Sequence, residues 1–384
     1  MNPEFINTTE RLEVFCARLR DAKWIAMDTE FLREKTYFAE LCLIQIATHD
    51  VVACIDTLAI KDLSPLTALL YDPNCLKVLH AARQDLELFY DSSGSVPTPI
   101  FDTQVAATLA GLGEQIGYAA LVEKLLGVQL AKTHTRTDWS RRPLSVEQLR
   151  YAADDVTYLV SAYEKLHAQL AGLGRLGWLT EDFATLTDPA TYANPPATMW
   201  RRVKGAGKLK GVQLKVLQDL TAWREEQARQ RNRPRRWILR DELLLDLARQ
   251  RPADRAALSQ VRGLEQGTID RDGASLLTII GQALNTPRES WPHLPRAKPL
   301  DEAQGAVVDS LMALLRLCAA TAGVSAGSLA SRNDLEELVR GSDEISLLHG
   351  WRAELAGRTL RDWLTGRSNL CVEAGRLVLT PRTD

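Results

Sequence analysis

Two proline-rich breaks limit how this chain can fold. The first runs from Thr187 through Pro189 to Pro195 and Pro196; the second runs from Pro287 through Pro292 and Pro295 to Pro299. Proline removes a backbone donor and drives the preceding residue out of the helical region, so both stretches read as linkers. They leave three units, at about 1–187, 200–286 and 301–384 of the 384 residues.

The first unit mixes two periodicities. Strands are predicted at Trp24–Glu30, Leu41–Ala47, Val51–Ile55 and Lys77–His80. The run Leu41-Cys-Leu-Ile-Gln-Ile-Ala47 is apolar but for Gln45, as expected of a strand buried on both faces. Helices are predicted at Pro65–Leu70, Gln84–Tyr90, Thr103–Leu112, Tyr118–Leu126 and Ser145–Ala171. Strands first, then alternating helix and strand, predict an α/β fold with a mixed sheet covered by helices. The later units read as all-helical. Helices are expected at Leu209–Arg229, Asp241–Arg249, Arg255–Val261 and Gly273–Leu284, then at Ala303–Ala322, Arg332–Arg340 and Trp351–Leu364. Trp237–Leu247 weakly echoes Leu329–Leu338, which suggests a repeat.

Composition narrows the function classes. No stretch approaches the ~18–20 uninterrupted apolar residues of a membrane span. Met1–Ile6 lacks the basic and apolar segments of a secretory signal. Cys16, Cys42, Cys54, Cys75, Cys318 and Cys371 include no C-x-x-C pair and read as reduced thiols of a cytoplasmic protein. The six histidines show no zinc-site spacing, which argues against a His/Cys metal centre.

Three short windows carry polar residues where apolar ones would be expected. In Asp28-Thr29-Glu30, strand alternation puts Asp28 and Glu30 on one face and Thr29 on the other. Two acids on an apolar strand are costly unless solvated or bound to a cation. In His80-Ala-Ala-Arg-Gln-Asp85, Asp85 opens a helix after a short strand, where sites form in open sheets. Taken alone, that acid is better explained by a helix-capping role. In Tyr151-Ala-Ala-Asp-Asp155, Tyr151 and Asp155 lie one turn apart on one helix face, and Asp154 competes with Asp155 as a ligand. Four carboxylates in one cleft repel one another unless divalent cations neutralise them.

The formal net charge of -2 hides a polarised distribution. Residues 200–240 hold thirteen Lys/Arg against three Asp/Glu, including Lys208, Lys210, Arg233, Arg235 and Arg236. Such a module suits phosphate backbones. The interleaved Trp200, Trp223 and Trp237 read as core. Residues 301–384 have nine Arg, no Lys and twelve Asp/Glu, which does not suit phosphate.

Together the windows resemble the motifs of the DEDDy exonucleases, and most closely those of the bacterial ribonuclease D family. Asp28-Thr-Glu30-Phe, His80-Ala-x-x-x-Asp85-Leu-Glu and Tyr151-Ala-Ala-x-Asp155-Val match the three exonuclease motifs, and Thr135–Leu144 is similar to a stretch typical of that family. Pro234-Arg-Arg-Trp-Ile-Leu-Arg-Asp241 resembles an HRDC domain, with a weaker likeness in the third unit. The resemblance implies a ribonuclease H-like exonuclease domain followed by two all-α HRDC-like domains. It implies Asp28, Glu30, Asp85, Tyr151 and Asp155 as catalytic residues and selects Asp155 over Asp154. It also implies two Mg²⁺ or Mn²⁺ ions held by Asp28, Glu30, Asp85 and Asp155, which suits hard cations. Thr29 and His80 join the basic residues as expected nucleic-acid contacts. The expected activity is 3′→5′ trimming of tRNA precursors and other structured RNAs by a monomer that needs no organic cofactor. A DNA 3′→5′ exonuclease and a non-catalytic RNA-binding scaffold are the alternatives.

Overall fold

The computed structural model describes residues 3–130, 137–294 and 298–382. Thr135 and Arg136, which begin the stretch similar to ribonuclease D, lie outside the described residues, as does Pro295. Contacts divide the chain into two compact units. One comprises Met1–Phe31, Leu41–Thr191 and Lys298–Asp384; the other comprises Leu32–Glu40 and Tyr192–Ala297.

The first unit opens with β1 (Glu4–Ile6), α1 (Thr9–Arg18), β2 (Trp24–Leu32), β3 (Glu40–Ala47), β4 (Val52–Ile55), α2 (Ser64–Leu70), β5 (Leu76–Leu79), α3 (Arg83–Ser93) and β6 (Ile100–Asp102). Helices α4 (Thr103–Leu109), α5 (Tyr118–Leu126), α6 (Val146–Gly172) and α7 (Leu179–Thr187) follow. The six strands form one sheet in the order β1-β4-β3-β2-β5-β6. β1 and β4 are parallel, β3 and β4 antiparallel, and β2, β5 and β6 parallel, so the sheet is mixed. In β3, Leu43, Ile44, Ile46 and Ala47 are buried, as a strand covered on both faces requires. Gln45 beside them is fully buried too, and neither of its amide atoms has a hydrogen-bond partner among the described residues. Helix α6 starts at a capping box between Ser145 and Gln148. It buries Ala152, Ala153, Val156 and Leu159.

The second unit holds α8 (Val212–Gln230), α9 (Arg235–Ile238), α10 (Asp241–Gln250), α11 (Arg255–Ser259) and α12 (Gln266–Leu284). They enclose a core of Trp200, Leu217, Leu220, Leu244, Leu247, Leu258, Leu276 and Ile280. The segment Leu32–Glu40, which continues from β2, is built into this unit. Its Tyr37 packs with Ala228 and Ile238, and the amides of Tyr37 and Phe38 donate to Asn232 Oδ1 at 3.0 and 3.1 Å.

The C-terminal part of the first unit carries α13 (Glu302–Ala322), α14 (Ala326–Leu329), α15 (Arg332–Val339), α16 (Gly350–Arg352) and α17 (Arg358–Leu364). Helix α13 is long and apolar enough to cross a membrane by length and composition, and it turns Val308, Leu311, Leu314, Leu315 and Ala319 into the interior. This region packs on the α/β elements of the same unit. Trp178 stacks on Trp351 at 5.0 Å, and Arg352 pairs with Asp182 at 3.0 Å.

The region departs from the all-helical expectation of the sequence; it ends in a hairpin of β7 (Ser368–Glu373) and β8 (Arg376–Pro381). Ala374 and Gly375 between them both have positive φ, 49° and 76°, as a two-residue hairpin turn needs. Alanine at the first of those positions hides the turn, because the usual signal is Asn-Gly or Asp-Gly.

Candidate active site and metal centre

Three of the expected carboxylates converge. Asp28 and Glu30 project from β2, Asp155 from α6, and one oxygen from each lies within 4.8 Å of the others. Asp154 is not in this cluster. The fourth acid, Asp85, is buried in the first turn of α3 and accepts a hydrogen bond from the Thr29 hydroxyl. Thr29 is itself buried, so its side chain supports Asp85 instead of facing a nucleic acid, which corrects the sequence expectation for it.

The charges are unbalanced as they stand. Burial pushes the Asp28 carboxyl up to about 8, and the neighbouring Asp155 adds to this. Burial, followed by Asp28, Asp155 and Asp85, pushes Glu30 up to about 9. Asp155 rises to about 7, through burial and then Asp154. Asp85 rises well above the ordinary carboxylate range through burial and Asp28. Hard anionic oxygens with a deficit of positive charge fit a divalent cation.

A stability signature follows. Raised folded-state values mean that these acids favour folding below their unfolded value near ~4, and that this contribution is lost as pH rises through about 7 to 9. Cation binding requires the ionised forms and offsets that loss. The gain in Tm on adding Mg²⁺ is therefore expected to be small at pH 6 and a few degrees at pH 8.5. Equal gains at both pH values, measured by calorimetry, would contradict the electrostatics.

Sequence reading missed Asp102, at the end of β6. Its carboxylate accepts from the amides of Ala81 (3.1 Å) and Ala82 (2.9 Å) and caps α4 through Gln104 (2.8 Å). Ala81 has φ +58°, a strained conformation for alanine. Asp102 thus fixes the turn that delivers Asp85. The only trace in sequence is an Asp-Thr pair before a helix, an ordinary cap signal.

His80 sits on the same turn. The Thr103 hydroxyl donates to Leu79 O at 3.0 Å, so it accepts from His80 Nδ1, also at 3.0 Å. Burial lowers the imidazole below its ordinary value and keeps it neutral at pH 7. The Tyr118 ring lies 5.5 Å from it, and the Tyr118 hydroxyl donates to Asp154 O at 2.9 Å, beside Asp155. Tyr151 stacks on Trp139 with centroids 6.3 Å apart. Burial, then the charges of Asp155, Glu30 and Asp28, push its phenol up to about 12.

The basic cluster is only partly available. Arg235 grips Glu225 with two hydrogen bonds, at 2.5 and 2.7 Å, and also donates to the Tyr37 hydroxyl at 3.0 Å. Arg224 pairs with Asp241, and Arg231 with Asp272. The expectation of Arg235 as a nucleic-acid contact is corrected accordingly. Lys208, Lys210, Arg233 and Arg236 are exposed. Trp200 is core, as expected, but Trp237 is 56% exposed and carries the Arg233 guanidinium over its ring.

Comparison with known proteins gives the family. A 3′-5′ exonuclease family model matches residues 3–171, and an HRDC domain model matches residues 213–280. Ribonuclease D of Granulibacter bethesdensis is 41% identical over 98% of this chain and 96% of its own length. That of Acidiphilium cryptum is 43% identical over 98% and 96%. The crystal structure of Escherichia coli ribonuclease D, an exoribonuclease involved in structured RNA processing, superposes with a TM-score of 0.86 at 33% identity, covering 95% of this chain and 99% of that one. On the strength of relatives matched along nearly its whole length, the chain belongs to the ribonuclease D family.

Proposed function

We propose that this chain trims the 3′ ends of tRNA precursors and other structured RNAs, releasing 5′-nucleoside monophosphates with the help of two Mg²⁺ or Mn²⁺ ions. The observation that carries the reading is the convergence of Asp28, Glu30 and Asp155 oxygens within 4.8 Å. Those three carboxylates would hold one ion, and Asp28 with Asp85 the second. When bound, such ions stabilise charge on the phosphate and make water acidic enough to attack at neutral pH.

The protein's own groups do the rest. Thr29 and Asp102 fix Asp85, directly and through its turn. The Tyr151 phenol stays protonated at neutral pH, so it cannot act as a base and instead donates a hydrogen bond that orients the attacking water. His80, neutral and held by Thr103, lies on the turn before Asp85 and is assigned to the terminal nucleotide on the family resemblance.

RNA is expected to track the exposed cations of the second unit. A pocket of about 510 Å³ there is lined by Arg236, Trp237, Arg240, Leu243, Glu265 and Thr268. Charged and aromatic groups together suit a phosphate backbone with a stacked base. Neutralising Arg233 and Arg236 should weaken RNA binding and flatten the plot of log affinity against log salt by about 0.7 per lost contact. An unchanged slope would remove this patch from the interface.

The function is tested by incubating 3′-extended tRNA and single-stranded DNA of matching 3′ sequence with Mg²⁺, Mn²⁺ or EDTA. Stepwise shortening of the RNA, with monophosphate products and inhibition by EDTA, is expected. Preference for the DNA would favour a DNA exonuclease, and turnover in EDTA would overturn the metal-dependent reading.

A further inference from the structure

The segment from Thr137 to Leu144 has no regular secondary structure, yet its Trp139 is only 4% exposed and forms the wall against which Tyr151 stacks. Something other than a helix or strand ladder must hold that indole. The structure supplies it in Arg142.

Arg142 spends its whole guanidinium on this task. Nε and Nη2 donate to the two oxygens of Asp56 at 2.6 and 2.7 Å. Nη2 also donates to Cys42 O at 2.9 Å, and Nη1 to Trp139 O at 2.7 Å and Arg141 O at 2.9 Å. Asp56 follows β4, and Cys42 lies within β3, so the guanidinium ties the backbone of Trp139 to the sheet. Asp56 is also saturated; it accepts from the amides of Leu58 and Ala59 at 3.1 and 3.2 Å. Asp138 closes the turn locally, accepting from the Ser140 hydroxyl at 2.6 Å and from Arg141 Nε at 3.0 Å. A bidentate fork of this kind cannot be reproduced by a lysine.

We propose that Asp56, Arg142 and Trp139 form a positioning clamp that fixes the Tyr151 phenol for the hydrolytic step. The clamp rests on the reading of Tyr151 as the group that orients the attacking water. None of its three members touches the reacting atoms; each acts through the next, from sheet to guanidinium to indole to phenol. Misplacing an orienting group by about an ångström can cost up to a hundredfold in rate. A clamp of this kind therefore governs kcat more than substrate affinity.

The test is a double-mutant cycle read by steady-state kinetics on 3′-extended tRNA with saturating Mg²⁺. Trp139→Leu is expected to lower kcat about tenfold with KM changed less than twofold, while Trp139→Phe keeps most of the activity. In a Tyr151→Phe background the same Trp139→Leu change is expected to cost less than twofold, because the hydroxyl it positions is already gone. Arg142→Lys should behave like Trp139→Leu in both backgrounds. Should Arg142→Lys prove too unstable to assay, the Trp139 variants carry the test alone, with Tm measured alongside. Equal costs of Trp139→Leu in the two backgrounds would overturn the clamp and leave the role of Tyr151 standing. Unchanged kcat in Tyr151→Phe by itself would overturn that role, and the clamp with it.

Discussion

Asp28→Asn is expected to lower kcat on RNA by at least a factor on the order of a thousand, equivalent to about 4 kcal/mol of transition-state stabilisation. Asp28 is the electrostatic hub of the site. Its charge acts on Glu30, Asp85, Tyr118 and Tyr151, and it is the one acid assigned to both ions. Asparagine keeps the shape and removes the charge, and it leaves the bond between Thr29 and Asp85 in place.

The same change carries a second signature of opposite sign. Removing one of several buried like charges relieves repulsion, so the cation-free variant should be more stable than the parent at pH 8.5. Loss of activity with a gain in metal-free Tm would separate a metal-site effect from simple unfolding. Retained Mg²⁺-dependent turnover in Asp28→Asn would contradict the assignment.

Arg235→Ala is expected to destabilise the protein by about 3–5 kcal/mol, the usual cost of stripping the partner from a buried charge. Glu225 has no exposed side-chain surface, and its carboxylate is held by Arg235, by the Tyr37 hydroxyl and by Arg229. Burial alone would push that carboxyl up; bonds from Arg235 and Tyr37 and the nearby charges outweigh it and hold the group low. The neighbouring Arg236→Ala should move stability by less than about 0.5 kcal/mol, as ordinary surface changes do, and should instead weaken RNA binding. Urea unfolding and RNA titration of both variants distinguish the roles. A fully stable Arg235→Ala with weakened RNA binding would return Arg235 to the interface.

These two arginines show what the sequence could and could not tell. Both lie in one basic run, and composition treats them alike. Their separation depends on Tyr37, which is 198 residues from Arg235 in the chain and reaches it through a segment that continues from β2 into the helical unit. No local pattern carries that pairing.

The acidic cluster was legible for the opposite reason. Asp28 and Glu30 obey strand alternation, and Tyr151 and Asp155 obey the helical repeat, so local periodicity already groups them. Asp102 was not legible, because the amides it holds, those of Ala81 and Ala82, come from a turn about twenty residues earlier. The strands missed outright follow the same logic. β1 and β6 are three residues each, too short for alternation to show. The β7–β8 hairpin turns on an alanine with positive φ. The long helix α6 was read nearly to the residue, because its capping box and apolar stripe are both local.

Acids distant in sequence are expected to share cations. Anomalous diffraction from crystals grown with MnCl₂ tests it most directly. Two manganese peaks are expected, one bounded by Asp28, Glu30 and Asp155, the other on the side of Asp28 that faces Asp85. Density with no peak among these carboxylates at saturating manganese would contradict it.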